Sequence, residues 1–360
     1  MQHICFFVGN IGHSGGTERV TTALVNALVQ QGYQLSILSL QAGKKSFFPL
    51  NQSIQLSQLA IDRKYLAKPI YYFWVIFRLR RFLKRARINI LIDVETMLAL
   101  YSTPALIGLK VKHITWEHFN FQFDLGKKLR RWARHLAAAY SNIVVTLTER
   151  DRSQWLAAIR WRRAKLVSIP NPIPFEIPAP IDEATRAPLV LAVGRLTPQK
   201  GFDWLLQAWQ QVIAQAPQWR LRIVGDGEQR AELEQLRATL GLQASVELLP
   251  TTTDIEQHYR EASLFCLSSR FEGFPMVLLE AQAFGLPCVS FDCPCGPSDI
   301  IEEGVAGLLA PVGDIQALTQ QLLRLINDPE RRKQMGKSAR LRMQGQFSIQ
   351  HILPQWEKLF

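Results

Sequence analysis

The feature that most constrains this chain is an alternation that runs through it twice. Short β-branched and apolar runs, HICFFV, LSILSL, NILIDV, KHITWE and NIVVTLT, alternate with longer segments of helical period. One such segment, TERVTTALVNALVQQG, puts Val20, Ala23, Leu24, Ala27 and Leu28 on one helical face and stops at Gly32. A second series follows: PLVLAVG, WRLRIVG, SVELLP, LFCLSS and PCVSF, again interleaved with helical segments. Between the two lies PNPIPFEIPAPIDEATRAP, whose six prolines in 19 residues suit neither a helix nor a central strand. Buried strands alternating with helices predict two doubly wound α/β domains, one on each side of that linker. A chain of 360 residues, 48% apolar, can build both cores. In such sheets ligands sit beyond the carboxyl ends of the strands, so chemistry is to be sought in those loops.

Charge separates the two halves. Residues 1–180 hold 25 Lys and Arg against 9 Asp and Glu, whereas residues 181–360 hold 17 against 21, within a total net charge of +12. An anionic partner is therefore expected on the first half alone, nucleic acid or an anionic membrane surface. The start, MQHICFFVGN, has no cationic region before its short apolar run, and IYYFWVIF is too short to span a bilayer. The expected location is the cytosol. Five cysteines, with Cys288, Cys293 and Cys295 clustered and no histidine near them, fit reduced thiols better than a zinc site.

Three strand-end loops carry candidate chemistry. GNIGHSGGTER has glycines at 9, 12, 15 and 16, so backbone N–H groups and a helix N-terminus can meet an anion; a tight turn without ligand is the alternative. A nicotinamide site is disfavoured, since strand two runs into Gln41, Ala42 and Gly43 with no acid to hold a ribose. VGRLTPQKG places Arg195 and Lys200 on a turn, a pair suited to a diphosphate. In SSRFEGFPMVLLEAQAFG, Glu272 precedes a helix opened by Pro275, and Glu280 stands about 7.5 Å along its axis. Carboxylates accept paired hydrogen bonds and so suit vicinal hydroxyls, although an N-terminal Glu and an exposed helical Glu are each common alone.

GGTER, VGRLTPQKG, VGDGEQRAELE and SSRFEGFPMVLLEAQAFGLP together resemble the retaining GT-B glycosyltransferases of family 4, with Glu272 and Glu280 matching their E-x7-E motif. WEHFNF and FDCPCGPSDII resemble the subset that builds capsule, exopolysaccharide and lipid-linked oligosaccharides. The resemblance implies a GT-B fold: two Rossmann-like domains facing a cleft, 1–175 binding the acceptor and 176–345 the nucleotide sugar, with 346–360 a helix packing back on the first. It implies that Arg195 and Lys200 bind the donor diphosphate, Glu280 the ribose hydroxyls and Glu272 hydroxyls of the transferred sugar. Backbone amides of Gly273 and Phe274 would support that sugar, and Gly15 and Gly16 would reach the phosphates. His118 matches a cleft histidine beside the donor sugar, with a purely structural histidine as its rival. Cys295 departs from the small polar residue often found in relatives, which leaves that loop's sugar contacts open.

The implied enzyme is a hexosyltransferase moving a hexose or N-acetylhexosamine from a UDP-sugar to a glycan on a polyprenyl diphosphate. No DxD carboxylate pair is present, so no metal or other cofactor is expected, and the cations would carry the leaving-group charge. The acceptor would attack on the face from which the leaving group departs, with a phosphate oxygen taking its proton and no side-chain nucleophile. Residues 63–87 contain no acid; as a helix, Leu79, Phe82, Leu83 and Ala86 form one face and Arg78, Arg80, Arg81, Lys84, Arg85 and Arg87 the other. That pattern fits peripheral binding to the inner face of the cytoplasmic membrane, or solvated cations over a packed helix. A second basic run, 127–135, could lie beside it. A sugar-nucleotide epimerase and a GDP-mannose-dependent mannosyltransferase are the rival enzymes. Nucleic-acid binding is disfavoured for want of a recognisable module.

Overall fold

The computed structural model describes residues 2–41, 45–61, 69–123, 126, 128–182 and 185–360. Ala42 and Gly43 after the second strand, and the basic-run residues Arg63, Lys64, Lys68 and Lys127, lie outside the described residues. The chain divides into two compact units, 1–175 with 349–360, and 176–348.

Unit 1 is built on a parallel sheet of strands β1 (His3–Val8), β2 (Gln34–Gln41), β3 (Gln55–Ile61), β4 (Ile90–Val94), β5 (Lys112–Trp116), β6 (Ile143–Thr146) and β7 (Lys165–Ser168). Their order is β3-β2-β1-β4-β5-β6-β7, so the chain reverses direction across the sheet between β1 and β4. All six residues of β1 are buried, as expected of a strand covered by helices on both faces. The helix Gly16–Gln30 buries Val20, Leu24, Val25 and Leu28, and Gly32 follows with φ +86°, a left-handed stop that glycine adopts without strain. On the other side Val75, Leu79 and Leu83 of the helix Pro69–Arg85 pack into a core with Cys5, Phe7 and Leu91. The C-terminal helix Ile349–Glu357 closes this unit: Trp356 is buried edge-on to Trp116, and Phe360 meets Tyr33.

Unit 2 repeats the plan with β8 (Leu189–Val193), β9 (Arg220–Val224), β10 (Val246–Leu249), β11 (Leu264–Leu267), β12 (Cys288–Phe291) and β13 (Gly307–Ala310). The order β10-β9-β8-β11-β12-β13 is again parallel and again reverses at its centre, between β8 and β11. Its core joins Leu205, Trp209 and Val212 of the helix Phe202–Ile213 to strand residues and to Leu318 and Leu322. Part of the proline-rich linker is held to this unit by side chains. Arg186 donates to the carbonyls of Tyr259 and Phe284, and Arg340 donates to that of Pro178 at 3.1 Å.

Candidate active site

The strand order of unit 2 reverses between β8 and β11, and doubly wound sheets take their ligands beyond the carboxyl ends of the strands at such a point. The loop after β8 carries Arg195 and a short 3-10 turn, Pro198–Lys200, that ends at Gly201 with φ +62°. A Cβ at Gly201 would run into the Ser268 carbonyl of the neighbouring loop, so only glycine lets the two chains pass this closely. The loops are then stitched together: Arg270 N–H donates to the Gln199 carbonyl at 2.8 Å, Gln199 Nε2 to that of Phe271 at 3.0 Å, and Ser268 Oγ to that of Lys200 at 2.9 Å.

This scaffold brings Lys200 to Glu272 across 72 residues of sequence. Lys200 Nζ donates to Glu272 Oε1 at 2.6 Å, and Ser269 Oγ donates to the same oxygen at 2.6 Å. Glu272 is 7% exposed, so its charge is compensated by a partner rather than by water. Arg195 stands exposed on the same loop as Lys200. Arg270 is occupied elsewhere, forking onto Asp203 at 2.8 and 2.7 Å with its guanidinium 3.8 Å from the Trp204 ring centroid. The Cys293 thiol is pushed up by burial, then by the Glu272 charge, with Lys200 opposing, which places the CPCG loop within electrostatic reach of the pair. In that loop Cys295 is buried with φ +65°, a left-handed conformation costly for a residue with a side chain.

Glu280 is the fifth residue of the helix Met276–Ala283, which follows Pro275 as anticipated from the turn residues. It is buried and accepts a hydrogen bond from Tyr259 Oη at 3.0 Å, and Tyr259 is stacked on Phe284. Phe274 is buried against Phe347. Ser269 and Tyr259 were not anticipated from the sequence. A serine and a tyrosine carry no signal until the fold sets them beside a carboxylate.

In unit 1, His118 lies just past the end of β5. It is 8% exposed, its ring centroid is 4.4 Å from that of Trp116, and its Nε2 has no hydrogen-bond partner among the described residues. Burial lowers its pKa to about 3, so the imidazole is neutral at ordinary pH. The loop that holds it is fixed by a buried pair: Arg134 Nε donates to Glu117 Oε2 at 3.0 Å, while its Nη2 donates to the Asn120 carbonyl at 2.8 Å. Nearby, Glu95 has φ +100°, and its carboxylate pairs at 2.8 Å with Arg130, whose side chain is 3% exposed. Arg130 Nε and Nη1 are buried without partners among the described residues. The Gly15–Gly16 turn opens the helix Gly16–Gln30, but the Glu18 carboxylate lies where a Cβ at Gly15 would sit. The helix's own acid thus stands at its N-terminus.

The basic helix differs from its expected form. It ends at Arg85, Ala86 and Phe82 are only half-buried, and Arg80 turns inward to donate to the carbonyls of Ala105 and Ile107 at 2.8 and 2.6 Å. Arg80 therefore caps the C-terminus of the neighbouring helix Ala99–Leu106, where helical carbonyls lack partners, and is not a free surface cation. Arg78, Arg81, Lys84, Arg85 and Arg87 are exposed.

Known proteins identify the class. Residues 14–176 match the family model described as Glycosyltransferase Family 4, and residues 175–342 match the one described as Glycosyl transferases group 1. An uncharacterized glycosyltransferase of Haemophilus influenzae is 36% identical over 99% of this chain and 99% of its own. A Campylobacter jejuni α-1,4-N-acetyl-D-galactosaminyltransferase, acting on a GalNAc-containing glycan on PP-undecaprenol, is 30% identical over 100% of this chain and 98% of its own. The amylovoran biosynthesis glycosyltransferase AmsD of Erwinia amylovora is 29% identical over 100% and 99%. Among solved structures, sucrose-phosphate synthase of Thermosynechococcus elongatus superimposes with a TM-score of 0.85, covering 100% of this chain and 98% of its own at 19% identity, a likeness of fold. The chain belongs to the family 4 glycosyltransferases, and its two doubly wound units are those of the GT-B fold.

Proposed function

We propose that the protein is a retaining glycosyltransferase that moves a hexose or N-acetylhexosamine from a UDP-sugar to a lipid-linked glycan, in the synthesis of a cell-surface polysaccharide or oligosaccharide. The observation that carries this reading is the Lys200–Glu272 pair at the β8/β11 reversal. A cation for a leaving diphosphate and a carboxylate for sugar hydroxyls stand there side by side, with Glu280 on the following helix for a ribose diol. Arg195 adds a second cation from the same loop, and the backbone amides of Gly273 and Phe274 complete the sugar's support. The cations stabilise the departing diphosphate without a metal ion. Gly15 and Gly16 offer a helix N-terminus to phosphate once Glu18 moves aside.

His118, neutral and with an Nε2 unpartnered among the described residues, suits a hydrogen bond to an uncharged sugar hydroxyl better than to a phosphate. The relatives that act on an undecaprenyl-diphosphate glycan and in exopolysaccharide synthesis support the acceptor class. Attachment to an anionic membrane surface through Arg78, Arg81, Lys84, Arg85 and Arg87 would bring the enzyme to such an acceptor. The test is to incubate the protein with a panel of nucleotide sugars and native membranes, then identify the released nucleotide and the lengthened lipid glycan. Release of UDP in step with glycan extension is expected. Interconversion of sugar nucleotides without release, or use of GDP-mannose alone, would overturn the assignment.

A further inference from the structure

Three carboxylates around β4 and β5 are buried and answered from within the chain. Asp93 is bound by His113 Nε2 at 2.8 Å and accepts from Ser102 Oγ; Glu117 accepts from Thr96 Oγ1 at 2.7 Å, from Arg134 Nε at 3.0 Å and from the Phe119 N–H at 3.0 Å; Asp151 accepts from the Phe121 N–H at 2.7 Å. Glu95 differs. It is the first residue past β4, beside the point where the strand order of unit 1 reverses, and its side chain is 28% exposed. Doubly wound sheets take ligands at such a point. The Glu95 backbone stands at φ +100° and ψ 134°, a conformation that suits glycine, and its N–H donates to the Trp116 carbonyl at 2.8 Å, which holds the turn against the end of β5. Strain of this kind persists where the surroundings over-determine it, and it gathers at binding sites.

Arg130 is the buried partner. Its Nη2 meets Glu95 Oε1 at 2.8 Å, and its guanidinium lies 4.1 Å from the Phe119 ring centroid, which ties it to the loop that carries His118. Nε and Nη1 belong to the same rigid plane and have no partner among the described residues. Buried donors of a charged group are costly to leave unpaired. Here they lie next to a carboxylate that water and ligands can reach.

We propose that Glu95 binds hydroxyls of the acceptor's terminal sugar and that Arg130 positions it for that contact. The proposal rests on the glycan-transferase reading above and names the side chains that hold its acceptor. A sugar hydroxyl both donates and accepts, so it can donate to the Glu95 carboxylate while its oxygen accepts from Arg130. The pair also sets the charge of the ligand. An anionic sugar would gain from Arg130 but would face the Glu95 carboxylate 2.8 Å away from it, whereas a neutral diol meets no such opposition. The bidentate fork of a guanidinium over an aromatic ring keeps the carboxylate in one orientation, which a flexible lysine would not do.

The experiment titrates native membranes, as the source of acceptor, against UDP release by the full chain, beside calorimetry with UDP and saturation-transfer NMR with a panel of neutral methyl glycosides. Glu95→Gln should raise the half-saturating amount of membrane about 10- to 100-fold, with a smaller fall in maximal rate, an unchanged UDP affinity and loss of the glycoside signal. Arg130→Lys should raise the half-saturating amount by no more than that, and combining the two should add little, because both act on one contact. A Glu95→Gln protein that saturates like the wild type overturns the proposal and leaves the transferase reading standing. Additive effects of the two substitutions would overturn the positioning role of Arg130. A wild type that releases no UDP with any membrane, yet binds glycosides in a Glu95-dependent way, would support the sugar site and sink the transferase reading instead. Should Arg130→Lys fail to fold, Glu95→Gln decides by itself.

Discussion

The two strand-end sites share one architectural plan and both hold buried ion pairs, Lys200–Glu272 in unit 2 and Arg134–Glu117 in unit 1, but they differ in what their other buried polar atoms meet. At the β8/β11 end the charges are matched: Lys200 holds Glu272, and Arg270 holds Asp203. At the β4/β5 end, His118 is neutral with an unpartnered Nε2, and Arg130 keeps two buried N–H groups unpartnered among the described residues. Glu95 also holds a backbone conformation that glycine would adopt more cheaply. Buried donors without acceptors cost about 1–3 kcal/mol each. The named carboxylates at the β8/β11 end are thus met by cations, whereas at the β4/β5 end three buried nitrogens, His118 Nε2 and Arg130 Nε and Nη1, have no partner among the described residues.

The largest effect should come from breaking the matched pair. Lys200→Ala removes the cation proposed for the leaving diphosphate and leaves Glu272 buried with its charge unpaired, so turnover should fall about 100-fold or more. Exposed Arg195→Ala should cost less. UDP release by both variants, measured in EDTA, is the check; loss of wild-type activity on chelation and its return with magnesium would show that a metal carries this charge instead.

Next in size is Glu280→Ala, expected to weaken UDP binding about 10- to 100-fold in a protein that remains folded. Tyr259→Phe, which removes only the hydroxyl that Glu280 accepts from, should weaken it less. Equal affinities for all three proteins by calorimetry would remove Glu280 from the ribose site.

A smaller effect concerns pH and belongs to unit 1. His118 has a folded pKa near 3, below its ordinary 6.5, because burial disfavours the charged ring. The stability linked to it is complete above pH 6.5 and is lost as pH falls toward 3. Asp151 runs the other way. Its pKa is raised to about 7, first by burial and despite the Phe121 N–H that its carboxylate accepts. Its protonated form favours folding, so its contribution is complete below the ordinary carboxylate range and is lost as pH rises through 7. His118→Gln should therefore flatten the acid side of a Tm profile, and Asp151→Asn the neutral side. Profiles for both variants parallel to the wild type would show that neither group is buried as described.

Of the fold, the strands with continuous apolar runs were legible in the sequence, and three strands were not. β3, QLSQLAI, alternates polar residues, β7, KLVS, has two apolar residues between polar ends, and β13, GLLA, is an apolar run no longer than those of β11 and β12 that the sequence reading passed over. All three lie at sheet edges, where a strand needs less apolar sequence because one side has no neighbour. The linker was legible because proline acts locally, but Arg186 and Arg340, which tie it to unit 2, gave no local sign. Of the candidate site, the residue types and the spacing of Glu272 and Glu280 could be read directly. That Arg80 is a helix cap, and that Ser269 and Tyr259 donate to the two carboxylates, could not.

The sequence by itself determined the features that depend on near neighbours along the chain: strand and helix periods, the proline break, the glycine turns, and the basic bias of the first half. The tertiary structure alone decided which groups meet. Lys200 finds Glu272 only because β8 and β11 are adjacent in the sheet although two strands lie between them in the chain. Adjacency of that kind is settled by how the helices cross over and how the cores close, and those are properties of the whole unit rather than of any stretch within it.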